Sequence, residues 1–152
     1  MVKKTQAAGM VDVSGKDATR RRAVAQAKIA MGKKAFQSFI KGKSPKGNVL
    51  ETARVAGIMA AKSTPAFIPM CHPLELNKVK VEFKIDKKKF AVTAIAEIVY
   101  LGRTGVEMEA LVAASVSVLT IYDMMKWADK GMKIGEVRLL HKSGGKSGVY
   151  NA

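Results

Sequence analysis

Residues 104–131 read TGVEMEALVAASVSVLTIYDMMKWADKG. Two glutamates, Glu107 and Glu109, open the stretch, no charge appears from Ala110 to Tyr122, and Asp123 and Lys126 stand three residues apart at its far end. This composition predicts a long helix over 104–130 with Gly131 as its C-cap. Its apolar residues run nearly all the way round, so it must be covered on more than one side. A small domain offers one sheet face, and the second cover is expected to be a neighbouring copy. The charged ends carry two readings. Thr104-Gly105-Val106-Glu107 fits a capping box, in which Glu107 satisfies a backbone N–H, and Glu109 in the first turn suits the helix macrodipole. Asp123 and Lys126 form either an exposed ion pair or a proton-transfer pair, the latter because a lysine pKa falls at the edge of a buried surface.

Working outward, Gly135 to His141 reads as a last strand before the glycine-rich tail Lys142–Gly148. On the other side, Lys78 to Asp86 alternates without error, with Val79, Val81, Phe83 and Ile85 set against Lys78, Lys80, Glu82 and Lys84, as in a half-buried strand. The turn DKKK joins it to Phe90–Leu101, apolar on both faces, and the two read as a hairpin. Between Ser63 and Asn77, three prolines (Pro65, Pro69, Pro73) predict a stiff loop. Asn48 to Lys62 reads as a helix, with Asn48 as N-cap, Glu51 three residues on, and Val49, Thr52, Ala53, Ala56 and Met59 or Ala60 on its inner side. The spacing over Lys33–Lys41 predicts another helix ended by Gly42, and Arg22–Met31 alternates as a strand despite its alanines. The order, strand, helices, strand, strand, helix, strand, is that of an α+β ferredoxin-like β-α-β-β-α-β sandwich, with an antiparallel sheet and helices on one face. We expect a single domain over residues 1–152, with 1–9 and 143–152 flexible.

Composition narrows the class. Hydrophobic residues at 48% and charged residues at 26% suit a globular chain, and no uninterrupted apolar run reaches the roughly 20 residues that cross a bilayer. The start has no apolar run after its basic residues, as a secretory signal would. One cysteine, Cys71, forms no internal disulfide and fits a reducing cytoplasm. Lys and Arg number 27 against 12 Asp and Glu, a net charge of +15 that favours polyanionic partners, whether nucleic acid, an anionic membrane or a phosphorylated small molecule.

His72 lies in Met70-Cys71-His72-Pro73, a loop pinned by prolines. One Cys and two His are too few for a zinc site, so no metal centre is expected; the imidazole suits hydrogen bonding to a substrate or a pre-placed acid/base role, against the commoner structural use of a lone histidine. The tail Lys142-Ser143-Gly144-Gly145-Lys146-Ser147-Gly148 tempts a phosphate-loop reading, but the position five before Gly145 is Leu140 and no helix follows. Its glycines and two lysines still suit a phosphate held by backbone N–H groups and charge.

Taken together, MVDVSGKDATRRRA, ARVAGIMAAKSTPAFIPMCHPL, TGVEMEALVAASVSVLTIYDMMK and LLHKSGGKSG resemble the cyclic pyranopterin monophosphate synthase family, also called the MoaC family, of molybdenum cofactor biosynthesis. The resemblance spans residues 10–148. It implies a lyase that converts 3′,8-cyclo-7,8-dihydroguanosine 5′-triphosphate to cyclic pyranopterin monophosphate and pyrophosphate, in the cytoplasm and without a required cofactor, although Mg²⁺ can accompany the triphosphate. It also implies a homohexamer, a trimer of dimers, with each site across a dimer interface. Carried over by position, Asp123 and Lys126 resemble the catalytic acid/base pair. His72, with its neighbours Cys71 and Pro73, and Glu107, Met108 and Glu109 resemble the set that contacts the purine or pterin. Lys62, Lys46, Arg21, Lys142 and Lys146 resemble phosphate-contacting and proton-handling residues. On this reading neither a membrane nor nucleic acid is a partner. A nucleic-acid module, the competing class, would need aromatics along an exposed central strand, and Phe90–Leu101 has them only at its two ends.

Overall fold

Alternation along the first strand sets the layers. A computed structural model describes residues 5–152, and β1 (Thr19–Ala30) turns Arg21, Ala23, Ala25, Ala27 and Ile29 inward, leaving Arg22, Val24, Gln26 and Lys28 half-buried on the other face. The further strands are β2 (Lys78–Asp86), β3 (Ala91–Gly102), β4 (Lys133–Ser143) and β5 (Tyr150–Asn151); the helices are α1 (Lys33–Ile40), α2 (Val49–Lys62), α3 (Thr64–Phe67) and α4 (Glu107–Met125). The sheet order is β2-β3-β1-β4-β5, and its pairings are antiparallel. The first four strands and the helices between them give the ferredoxin-like arrangement expected.

Alanines pair across the two central strands, Ala25 with Ala96 and Ala27 with Ala94, all fully buried. Alanine is a poor strand former, yet here it clears room for α4 to lie close on the sheet. Helix α2 packs alongside α4 at Gly57, where a Cβ would overlap the Ser117 hydroxyl and press on the Ala113 carbonyl. At 19 residues α4 is long and apolar enough to cross a bilayer, but about half of it is buried on the sheet and α2 as a core helix. Its outer side is bare in the single chain. There Leu111, Val112, Val116 and Leu119 line an apolar groove with Phe67 and Val137. The open faces of β1, β2 and β3 carry no aromatic side chain, so the base-stacking surface of a nucleic-acid module is missing from them.

Several boundaries differ from the sequence reading. Helix α4 covers Glu107–Met125, shorter than 104–130 at both ends. Thr104 does not cap it; Val106 occupies the N-cap without a side-chain bond, and the Glu107 carboxylate turns instead to Lys142. Gly131 is not the C-cap. The chain leaves the helix at Lys126 because Ala128 N bonds Met125 O at 2.9 Å, while the Tyr122 hydroxyl donates to Lys130 O at 2.8 Å and pulls the turn back. In α2, Asn48 caps as expected, its side chain accepting from Glu51 N at 3.0 Å, but Thr52 and Met59 are exposed and Gly57 and Ala61 take the inner positions. The proline loop opens with the short helix α3, which admits Pro65 in its first turn, where no N–H is needed. The tail from 143, expected to be flexible, turns back through its glycines so that β5 pairs with β4. Of the start expected to be flexible, residues 1–4 lie outside the described residues, and 5–9 have no regular structure.

Candidate active site

Two groups of side chains gather at opposite ends of α4. At its N-terminal end Glu109 is 4% exposed, and burial pushes its carboxyl pKa up, with the Glu107 charge acting in the same direction. The proline loop brings Cys71 and His72 beside it. The Cys71 thiol is also pushed up, by burial first and then by Glu109. His72 Nε2 lies 2.7 Å from Val11 O, so this nitrogen carries the proton and donates. His72, Cys71, Glu107, Met108 and Glu109 line one cavity, and Pro73 faces a neighbouring one that shares His72.

Adjoining it is a cavity of ≈ 450 Å³ lined by cations, among them Arg21, Lys142 and Lys146. The run Arg20-Arg21-Arg22 supplies one arginine here, and the strand's period of two decides which. Arg21 points inward, its Nε donating to Gly102 O at 3.3 Å, while Arg22 on the other face reaches Glu97 at 3.4 Å. The glycine tail wraps this guanidinium. Gly145 has φ +81°, and a Cβ there would overlap the Arg21 side chain, so both the turn and the close approach require glycine.

At the C-terminal end of α4, Asp123 receives Lys126 Nζ at 2.8 Å and Lys46 Nζ at 2.6 Å. Lys46 comes from the turn before α2, anchored where the Ser44 hydroxyl donates to Met124 O at 3.1 Å. Hydrogen bonds from Lys126 and then Lys46 hold the Asp123 pKa at about 2. The Lys126 pKa is raised, by its hydrogen bond to Asp123 first. The lowered lysine expected at a buried edge is thus not found in the single chain. Lys126 is about half exposed, and nothing desolvates it enough to offset its carboxylate partner.

The chain brings together His72, Cys71, Glu107, Met108, Glu109, Arg21, Lys142 and Lys146. It does not bring Asp123, Lys126 or Lys46 to them: sixteen residues of helix separate Glu107 from Asp123, about 24 Å at 1.5 Å per residue. Lys62, at the C-terminus of α2, is exposed and lines neither cavity. Val11, Val13 and Lys16 also line the site and escaped the sequence reading, and Thr104, read there only as part of a capping box, lines it too. Lys16 is one of 27 basic residues, in a segment with no periodicity to point it anywhere.

The arrangement joins a pocket of hydrogen-bonding groups to a pocket of cations. A family model described as "MoaC family" matches residues 10–145. A protein of Pelotomaculum thermopropionicum named cyclic pyranopterin monophosphate synthase is 54% identical over 143 residues, covering 94% of this chain and 84% of that protein. Proteins of the same name from Methylobacterium sp. (strain 4-46) and Listeria monocytogenes serotype 4a are 54% and 50% identical, covering 97% and 95% of this chain and 92% and 90% of theirs.

Proposed function

The chain belongs to the MoaC family, and from that premise we propose that it is a cyclic pyranopterin monophosphate synthase, a lyase of molybdenum cofactor biosynthesis. Its substrate is then 3′,8-cyclo-7,8-dihydroguanosine 5′-triphosphate, and its products are cyclic pyranopterin monophosphate and pyrophosphate. The observation that carries this reading is the joined cavity. One half presents the carboxyl groups of Glu107 and Glu109 and the remaining ring nitrogen of His72, Nδ1, to a ring system rich in N–H and C=O groups, and the other presents Arg21, Lys142 and Lys146 to a triphosphate.

The reaction changes no oxidation state overall. Its steps are proton transfers, ring opening and closing, and displacement of pyrophosphate at phosphorus. Arg21, Lys142 and Lys146 neutralise charge that builds on the leaving pyrophosphate, an effect strongest in a site closed to water. Lys126 stands protonated beside an ionised Asp123, so it enters as a proton donor held in place by its carboxylate. That pair lies too far along α4 to reach the cavity of its own chain. We therefore place it in the cavity of a second copy, so that a two-fold dimer forms two sites, each with the cavity of one subunit and the acid/base pair of the other. Lys46 travels with Asp123. Lys62, at the opposite end of α2 from Lys46, is assigned to the substrate on the subunit that supplies the cavity. The bare groove on α4 supports burial against further copies, and we take the assembly to be a hexamer of three dimers in the cytoplasm. Mg²⁺ accompanying the triphosphate would be held by phosphate oxygens and would screen their charge. No other cofactor is needed for this chemistry.

Replacing Asp123 or Lys126 by Ala is expected to lower product formation from the cyclised triphosphate by about 10²- to 10⁴-fold. The oligomer measured by light scattering should stay intact. Product at near wild-type rate from either variant would contradict the assignment.

A further inference from the structure

Residues 10–18 carry no helix or strand, yet Val11, Val13, Lys16 and Asp17 line the joined cavity and the segment is tied down at both sides. Val11 O receives His72 Nε2 at 2.7 Å, and Lys16 O receives Arg103 Nε at 3.0 Å. Between these anchors the segment makes a tight turn, with Ser14 N on Asp12 Oδ1 at 2.9 Å and Lys16 N on Val13 O at 3.1 Å. This places Lys16, with Thr104 and Gly105, on the boundary of both cavities. The other cations of the site, Arg21, Lys142 and Lys146, line only the triphosphate half. Lys142 is already engaged by Glu107, whereas Lys16 has no carboxylate partner among the described ion pairs, although Asp17 also lines the triphosphate cavity.

We propose that residues 10–18 form a strap over the bound nucleotide, and that Lys16 is a substrate ligand for the phosphoryl group nearest the ribose, positioned by Arg103 through the strap's backbone. The inference rests on the proposed substrate, whose ring system fills one cavity and whose terminal phosphates fill the other. The α-phosphoryl group must then lie at their junction, where Lys16 stands. An ammonium there contacts a phosphoryl oxygen and offsets charge at the phosphorus that is attacked. Arg103 lines neither of the two cavities and touches Lys16 only at its carbonyl, so it is a positioning residue.

The test compares Lys16→Ala, Lys16→Arg, Arg103→Ala, the Lys16→Ala/Arg103→Ala double variant and Lys88→Ala. Lys88, on the β2–β3 turn at the far end of the sheet, controls for loss of one positive charge. GTP and guanosine serve as binding probes, and the cyclised triphosphate as substrate. Loss of one charge-assisted hydrogen bond should weaken GTP binding and lower kcat/KM by about tenfold or more in Lys16→Ala, while guanosine affinity holds within about twofold. Lys16→Arg should recover part of the loss. Arg103→Ala should show a smaller loss, and the double variant should be no worse than Lys16→Ala, since the arginine then has no ammonium left to position. Two results would overturn the proposal: Lys16→Ala matching Lys88→Ala, or the two single losses multiplying in the double variant. If wild-type protein bound GTP but made no product, the assigned reaction would fail, and the GTP and guanosine comparison would still decide the role of Lys16.

Discussion

Asp123 accepts two ammonium groups, and this pairing explains both its acidity and its partner's basicity. Removing one donor should show it. In Lys46→Ala the Asp123 midpoint, followed by carboxyl ¹³C shift against pH, should move up from about 2 toward the ordinary aspartate range, and an unmoved midpoint would mean that Lys46 contributes nothing. Glu109 presents the opposite case. Burial raises its pKa, so between the ordinary glutamate value and that raised value the folded state holds the proton more tightly than the unfolded chain. Stability therefore falls as pH rises through this window. Glu109→Gln should melt close to wild type near pH 4 and above it at pH 7 to 8, while losing activity; a gap independent of pH would contradict the cause given. At this scale the sequence was legible where a motif fixed a position. His72, Glu107 and Glu109, grouped by the resemblance, line one cavity, whereas Arg21, carried over from a run of three arginines, is told from its neighbours only by the folded strand's parity. Lys16 was not legible, because what matters about it is a backbone path across two cavities, and no local pattern encodes that.

The elements were read best where burial imposes a period. β1 and β2 followed from alternation, β3 from an apolar run joined to β2 by a polar turn, and even the alanines of β1 proved to be a requirement of the helix above them. The ends of α4 were read poorly because tertiary contacts decide them: Glu107 answers Lys142 instead of a backbone N–H, and Tyr122 holds the exit turn through Lys130. The contact that positions both helices is the close approach at Gly57. A methyl group there must push α2 away from α4, and Gly57→Ala should destabilise by about 1–3 kcal/mol, the usual cost of overpacking, even though alanine is the better helix former. Thermal melting checks this. A Tm at or above wild type would mean that the helix pair tolerates the shift.

Over the whole molecule, one helix carries Glu107 and Glu109 at one end and the Asp123–Lys126 ion pair at the other, too far apart to meet within one chain. The bare apolar groove along α4 and the half-exposed Lys126 are the surfaces that the proposed pairing with another copy would cover. No motif told which chain supplies which group, since spacing along a sequence carries no information about a second copy. The central claim is that each site takes its cavity from one subunit and Asp123 with Lys126 from another. Subunit mixing tests it most directly. Lys126→Ala and His72→Ala proteins, each inactive alone, are unfolded, combined in equal amounts and refolded, and product formation from the cyclised triphosphate is measured. Random pairing into two-site dimers leaves about one site in four intact, so the mixture should recover about a quarter of wild-type activity. A mixture that assembles yet stays as inactive as its parents would contradict the shared site.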